Sequence, residues 1–383
     1  MDFDLGEQAA ELRTRLRSLI AAHIADDYLG AFTADPADLD VAQRFCRTLA
    51  DEGLLTLAWP AEYGGGGGSV WDQTVVREEM WAHHEPRGAQ YMGLNWVGPA
   101  IMAFGTDEQK AQHLSAIAAG EVIWCQGFSE PEAGSDLAGI KTKAIRDGDH
   151  YVLNGQKTWC SRGAFADWIF CIVRTDPEAE RHAGLTYLLV PADAPGMERR
   201  PIGRLDGEPG FAEIFFDDCR VSTEHVLGEE GQGWAVAMAA AGSERGLNLR
   251  SPGRFMAAAE RLTGLVRDLT AQGRDVDVRL RDEVTDAWIR AQAYRWQTYM
   301  IAAKLMDGAE IGSEASLMKV FWSEMDLELH ATALRLLGAR GEVVEGNDWL
   351  DGYVFALSGP IYAGTNEIQR NIIAERVLGL PRR

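Results

Sequence analysis

The sequence predicts an α+β protein in which a central β-rich part lies between two helical parts. Apolar residues recur at helical spacing up to about residue 120, and this spacing returns after Gly231. Between these parts, short apolar or alternating runs separated by Gly, Pro and Asp are typical of strands. In a chain of 383 residues we therefore expect an N-terminal α-helical domain over 1–120, a middle β-domain over 121–226 and a C-terminal four-helix bundle domain over 227–383.

The N-terminal helices follow from the spacing of apolar residues. Three-, four- and seven-residue steps relate Leu5, Leu12, Leu16, Leu19 and Ile20. The same spacing returns at Val41, Phe45 and Leu49, and Gly53 is suited to end that second helix. The glycine run over 64–68 lacks the Lys and Ser/Thr of a phosphate-binding loop, so we expect a plain loop there.

The middle part contains several short runs with strand character. Tyr151 to Leu153 and Gln156 to Trp159 flank Asn154 and Gly155, a pair that favours a two-residue hairpin turn. Further strand-like runs cover 168–173, 185–190 and 212–216. Short strands at this spacing predict a small barrel or sandwich.

Four helices are predicted after Gly231, over about 232–270, 277–307, 313–338 and 363–378. Breaks are expected near Gly308, Gly312 and Gly338. Long helices joined by short links are typical of a four-helix bundle.

The composition argues against several classes of function. Because 37 Lys and Arg stand against 58 Asp and Glu, the net charge of −21 disfavours nucleic acid or an anionic membrane as a partner. The first 30 residues lack the basic and apolar regions of a signal peptide, and the apolar runs are too short to span a bilayer. The five cysteines lack metal-binding spacing. We expect an acidic, soluble, cytoplasmic protein.

Three motifs carry the polar residues of interest. The segment Gly127 to Asp136 combines two serines with small residues that let backbone amides approach an anion. The second motif runs from Asn154 to Ser161, and the third from Tyr362 to Glu375. In this order, and over essentially its whole length, the chain resembles the acyl-CoA dehydrogenase family.

The resemblance implies an FAD cofactor between the β-domain and the bundle. It places Gln126, Phe128, Ser129, Gly134 and Ser135 against the flavin or its phosphates, with Ser135 also near the pantetheine chain of an acyl-CoA. Trp159 would cover the flavin ring and Ser161 would hydrogen-bond to its reactive edge. The adenosine side would be lined by Thr365, Asn366 and Glu367.

The family reaction removes an α-proton and a β-hydride from an acyl thioester, and it requires a carboxylate base in a dry pocket. The usual base position, between Tyr362 and Gly364, is here Ala363, which accepts no proton. Some members carry the base before an Arg on the first bundle helix, where this chain has Glu244 and Arg245. We therefore predict Glu244 as the base and Arg245, Ser135 and the segment 362–364 as substrate contacts.

Two family elements that hold the FAD of a neighbouring subunit are missing. No Phe-Gly follows the arginines of 266–286, and Arg335 to Ala339 replaces a Gln-x-x-Gly-Gly segment. The chain thus keeps its own half of the flavin site and lacks the half that it would lend. The resemblance therefore suggests a tetramer, α2β2 with a related subunit, as in actinobacterial enzymes that act on bulky steroid side-chain thioesters.

The leading hypothesis is an FAD-dependent acyl-CoA dehydrogenase for a bulky or branched acyl group, with an electron-transferring flavoprotein as electron acceptor. A second hypothesis keeps the fold but changes the chemistry, to a flavin monooxygenase or a carrier-protein thioester oxidase. A third is a non-catalytic subunit that completes the site of a partner. The retained motifs around Ser129, Ser135 and Trp159 disfavour the third hypothesis.

Overall fold

The computed structural model describes residues 5–28, 30, 36–205, 207, 209–245, 251–309, 311–343 and 346–381. The chain divides into two compact units. The helical unit combines 1–30 and 68–85 with 245–383, and the sheet unit combines 31–67 with 86–244. The predicted borders at 120/121 and 226/227 stay predictions. None of the helices within the described ranges has the length and apolar character that crossing a bilayer requires.

The α-helices of the described residues are α1 (Gly6–His23), α2 (Pro36–Asp51), α3 (Val70–Ala82), α4 (Gly98–Phe104), α5 (Asp107–Ala118), α6 (Gly233–Arg245), α7 (Pro252–Ala271), α8 (Val278–Met306), α9 (Glu314–Leu337), α10 (Asp348–Ala356) and α11 (Asn366–Ile372). The strands are β1 (Trp124–Gly127), β2 (Lys143–Asp147), β3 (His150–Ser161), β4 (Trp168–Arg174), β5 (Leu185–Pro191), β6 (Met197–Ile202) and β7 (Phe211–Ser222). This content confirms the predicted α+β class.

The strands form one sheet in the order β1-β4-β2-β3-β7-β6, and β5 pairs with β4. Strands β4 and β5 are buried along almost their whole length. Because both of their faces are covered, their sequences read as continuous apolar runs instead of alternating ones. The thiols of Cys125, Cys160, Cys171 and Cys219 lie in the core of this sheet, and burial raises the pKa of Cys171 to about 12.

The predicted hairpin at Asn154 and Gly155 is wrong. Both residues lie inside β3, which pairs with β7 with a register shift between Leu153 and Gly155. A Cβ on Gly155 would lie 2.7 Å from the Cα of Thr142, so glycine is required by the close approach of the residue that precedes β2. The hairpin turn instead lies at 148–149, between β2 and β3.

The helical unit has its core between α7, α8 and α9. Phe255 on α7 stacks on Trp322 on α9 with ring centroids 6.2 Å apart, and Tyr294 on α8 meets Phe255 edge-on. Within this core, Arg254 donates to the carboxylate of Asp326 at 3.0 Å. The predicted bundle helices over 277–307 and 313–338 correspond to α8 and α9.

The predicted single helix over 232–270 is two helices, α6 and α7. Ser251 caps α7 by accepting from the amide of Gly253, and Pro252 occupies the first turn. Proline is favoured at a helix start because its missing N–H would have no partner there. At the C-terminus, the helix predicted over 363–378 is α11 followed by a π-helical turn over 373–377.

Candidate flavin and thioester site

The loop after β1 is anchored by the buried carboxylate of Glu130. Its oxygens accept from the amides of Lys141, at 2.6 Å, and Thr142, at 3.0 Å. The ammonium of Lys157 lies 2.8 Å from the same carboxylate and 3.1 Å from the carbonyl oxygen of Phe128. Burial acts to raise the pKa of Glu130, but the charge and hydrogen bond of Lys157 outweigh it, so this pKa lies below its usual value.

Strand β1 and the anchored loop carry the five residues that the resemblance places against the flavin or its phosphates in the first motif region. Gln126 and Ser129 are partly exposed, whereas Phe128 is buried edge-on against Phe170 and Tyr187. Gly134 and Ser135 lie at the surface, and a Cβ on Gly134 would meet nothing within 4 Å. This open backbone next to a serine hydroxyl is the arrangement that suits a phosphate.

Trp159 is aimed outward by an irregularity in β3. The pairing of β3 with β7 shifts register between Lys157 and Cys160, and Trp159 has a left-handed φ of 56°. Its indole is 60% exposed and meets Phe211 edge-on at 5.8 Å. Bulges of this kind re-aim side chains next to binding sites. The exposed indole is therefore well suited to cover a flat ring, and Ser161 follows at the partly exposed end of the strand.

The loop and the bulge are joined directly. The amide of Thr158 donates to the carbonyl oxygen of Ser129 at 2.9 Å. The structure therefore brings Ser129, Trp159 and Ser161 into one region of the sheet unit.

The third motif lies in the helical unit and forms a tight turn before α11. Ala363 and Gly364 both have left-handed φ values, 55° and 83°. Thr365 caps α11 by accepting from the amide of Ile368 at 3.3 Å. Tyr362 packs against Trp322 at 5.9 Å.

Asn366 and Glu367 differ in what they can offer a ligand. The side chain of Asn366 is buried, where it accepts from Lys319 and Ser323 and donates to Glu324. Glu367 is exposed. The side-chain amide of Asn366 is thus already hydrogen-bonded to other residues of the protein. The assignment of 365–367 to the adenosine side of the cofactor stays a prediction.

Glu244 and Arg245 form the C-terminal end of α6. Their side chains lie outside the described part of the molecule, so the predicted base and its neighbour stay predictions.

Several residues that hold the site were not predicted from the sequence. Lys157 and Glu130 are 27 positions apart and meet only in the folded sheet unit. Gln369, inside the third motif, and Lys319, on α9, are fully buried. For Glu130, Lys157 and Gln369 the available signal was a charged or amide residue inside a motif, whereas Lys319 lies outside all three motifs.

Comparison with known proteins agrees with the motifs. Models of the acyl-CoA dehydrogenase N-terminal, middle and C-terminal domains match residues 6–121, 125–219 and 231–378. The acyl-CoA dehydrogenase IpdE1 of Mycobacterium tuberculosis is 37% identical over 384 residues, which cover 98% of this chain and 99% of the relative. The chain belongs to the acyl-CoA dehydrogenase family.

Two solved structures are similar over the full length of both chains. The Tcur3481-Tcur3483 steroid ACAD has a TM-score of 0.89 at 28% identity. The ChsE4-ChsE5 complex from Mycobacterium tuberculosis has a TM-score of 0.87 at 31% identity.

Members of the acyl-CoA dehydrogenase family are FAD-dependent flavoproteins, and this chain is accordingly a flavin-dependent oxidoreductase acting on CH–CH bonds. The residues of the sheet unit fit such a cofactor. The exposed indole of Trp159 offers a surface for a flat ring, and the open backbone at Gly134 beside Ser135 offers donors for a phosphate.

Proposed function

We propose that this acyl-CoA dehydrogenase introduces an α,β double bond into a CoA thioester with a bulky or branched acyl group, and that Glu244 is the base. The observation that carries the proposal is Ala363. It occupies the usual base position with a methyl group, while a carboxylate ends α6 immediately before Arg245. Similarity to the Tcur3481-Tcur3483 steroid ACAD supports a steroid side chain as the acyl group.

The residues have distinct roles in this reaction. The carboxylate of Glu244 takes the α-proton, and Arg245 and the segment 362–364 hold the thioester. Bound FAD would supply the acceptor for the hydride of the β-carbon and its two electrons. Trp159 would cover the flavin ring and keep water away, and Ser129, Ser135 and Ser161 would hold the cofactor by hydrogen bonds. An electron-transferring flavoprotein is the proposed electron acceptor.

The test is Glu244→Gln in the FAD-loaded protein, mixed without oxygen with straight-chain, 2-methyl-branched and steroid side-chain CoA thioesters. We expect flavin bleaching to slow by about 10³-fold or more with FAD content unchanged, because an amide cannot take the proton. Glu121→Gln, at an exposed position, is the control and should bleach normally. Bleaching at the normal rate in Glu244→Gln would exclude Glu244 as base.

We also propose that the chain works with a related subunit in an α2β2 tetramer. The groove between α8 and α9 supports this. Arg335, which stands where the family carries a Gln that reaches a neighbour's FAD, is paired with Glu283. Arg290 is paired with Asp286 and Glu328.

These side chains line a cavity of about 330 Å³, which contains three carboxylates and two guanidiniums. Because both guanidiniums are already neutralised, this groove is poorly suited to the pyrophosphate of a neighbour's FAD. This surface supports the proposal of a partner that supplies the missing contacts, and with it a smaller number of flavins than chains.

A further inference from the structure

The turn that carries Ala363 is held by a buried glutamine on the helix that follows it. A left-handed alanine is disfavoured because its Cβ crowds the following carbonyl oxygen, so its surroundings must hold it in place. Gln369 is fully buried, and its Nε2 donates to the carbonyl oxygens of Ala363 at 3.2 Å and Gly364 at 3.5 Å. A Cβ on Gly364 would lie 2.5 Å from the same nitrogen. The amide of Gln369 thus fills the space behind both residues of the turn.

The glutamine is itself fixed to α9. Asn366 and Gln369 are three residues apart and therefore lie on one face of α11. On that face, the ammonium of Lys319 and the hydroxyl of Ser323 donate to the Oδ1 of Asn366 at 2.8 Å and 3.1 Å. These hydrogen bonds fix α11 to α9, and Gln369 on α11 in turn fixes the turn at Ala363.

Stability alone does not account for a glutamine here. The Oε1 of Gln369 is buried and has no hydrogen-bond partner among the residues that the structure describes. A buried acceptor without a partner costs free energy, and an apolar side chain of the same length would avoid that cost. Such violations of local rules are expected where function requires a particular geometry.

We propose that Gln369 is a positioning residue for the dehydrogenation, which rests on the proposed function of the turn as a thioester contact. By donating a hydrogen bond to the carbonyl oxygen of Ala363, it fixes the orientation of the peptide groups of 362–364. These groups face the reacting thioester, and a small error in their placement would slow the chemistry more than it would weaken binding.

The test is Gln369→Met, which keeps the length of the side chain and removes its donor. Gln90→Met is a matched control, because Gln90 is also fully buried, donates once to a backbone carbonyl, that of Gly120, and has an unpartnered Oε1 within the described residues. Both variants are measured in the FAD-loaded native assembly for melting temperature, FAD content, kcat and KM, and amide hydrogen exchange of 362–364.

We expect Gln369→Met to keep its FAD and to melt close to the temperature of the parent protein, because the lost hydrogen bonds to the turn are offset by removal of the unpartnered Oε1. Its kcat should fall by about 10- to 100-fold with a much smaller change in KM. Exchange at 362–364 should accelerate, while Gln90→Met should match the parent protein in kcat and in this exchange.

An unchanged kcat, a loss of FAD or a kcat that falls equally in both variants would overturn the proposal. If the parent protein oxidises no thioester, the proposed function fails. The amide hydrogen exchange of 362–364 still tests whether Gln369 holds the turn. Unchanged exchange at 362–364 in Gln369→Met would then overturn it.

Discussion

Buried charges at single positions determine whether the loop after β1 keeps its shape. Lys157 is fully buried, and its ammonium is compensated by Glu130 and by the carbonyl oxygen of Phe128. A buried ion pair adds little net stability when it forms, because both charges lose water. Removal of one partner is nevertheless costly, since the other charge is left buried alone.

Lys157→Met should therefore destabilise the protein by about 3–5 kcal/mol and weaken FAD binding, because Glu130 is left without its cation and Phe128 loses a contact. Lys141→Met is the control. Lys141 pairs with Glu132 at an exposed position, where water screens the two charges and the pair adds little to stability. Urea unfolding and flavin titration measure both effects, and equal effects in the two variants would contradict this account.

His113 should make stability depend on pH. Burial, and then the charge of His225, lowers the pKa of His113 from 6.5 to about 4. Its ring packs against Trp124 and Trp168, so the folded protein holds it neutral. As pH falls from 6.5 towards 4, the unfolded chain binds a proton at His113 that the folded chain does not bind. The contribution of neutral His113 to stability is therefore fully present above this window and is lost within it.

His113→Phe should remove this dependence while it keeps the aromatic packing. Between pH 7 and pH 5 the parent protein should lose about 2 kcal/mol more than the variant, from this one group. Urea midpoints at the two pH values test this. The same fall in both proteins would show that His113 does not take part.

At the scale of elements, β3 connects the fold to the candidate site. Its two irregularities against β7 lie at Leu153–Gly155 and Lys157–Cys160, and the second one aims Trp159 outward. Gly155→Ala should disturb both, because its Cβ would lie 2.7 Å from the backbone of Thr142. We expect the free energy of unfolding to fall by about 1–3 kcal/mol. We also expect the contact between Trp159 and bound flavin to weaken. Gly148→Ala meets nothing within 4 Å and isolates the contribution of a positive φ alone.

Gly155 also illustrates where sequence patterns stop being informative. An Asn-Gly pair indicates a hairpin turn and a bulge equally well, and the choice here depends on β7, some sixty positions later, which pairs along all of β3. The α+β class, the sheet and α8 and α9 were predictable because periodicity is local. The split between α6 and α7 was missed although Ser251 and Pro252 are themselves local signals.

The same distinction applies to the candidate site. Trp159, Ser129 and Ser135 could be singled out because motifs are contiguous in sequence. Their supports could not, since Glu130 with Lys157, and Gln369 with the Ala363 turn, depend on how the chain folds back on itself.

At the scale of the whole molecule, the proposed α2β2 assembly rests on the charges that line the α8–α9 groove. In a homo-oligomer each flavin would face a neighbour's Arg335 that is already paired with Glu283, without the Gln and Phe-Gly segments of the family. The carboxylates of Asp286 and Glu328 add negative charge to the same surface. A pyrophosphate placed there would be repelled instead of held.

Purified alone, the chain should therefore carry little FAD. The related subunit for co-expression is one that has the Gln-x-x-Gly-Gly and Arg-x-x-Phe-Gly segments. Co-expression with it should give a complex of four chains with about one FAD per two chains. Light scattering and the flavin absorption of the same sample measure both quantities. As a control, the partner's Gln segment is replaced by Arg-Leu-Leu-Gly-Ala, which should remove the flavin and leave the assembly intact. About one FAD per chain in a complex of this chain alone would mean that it replaces the missing contacts internally, because no other source of them would be present.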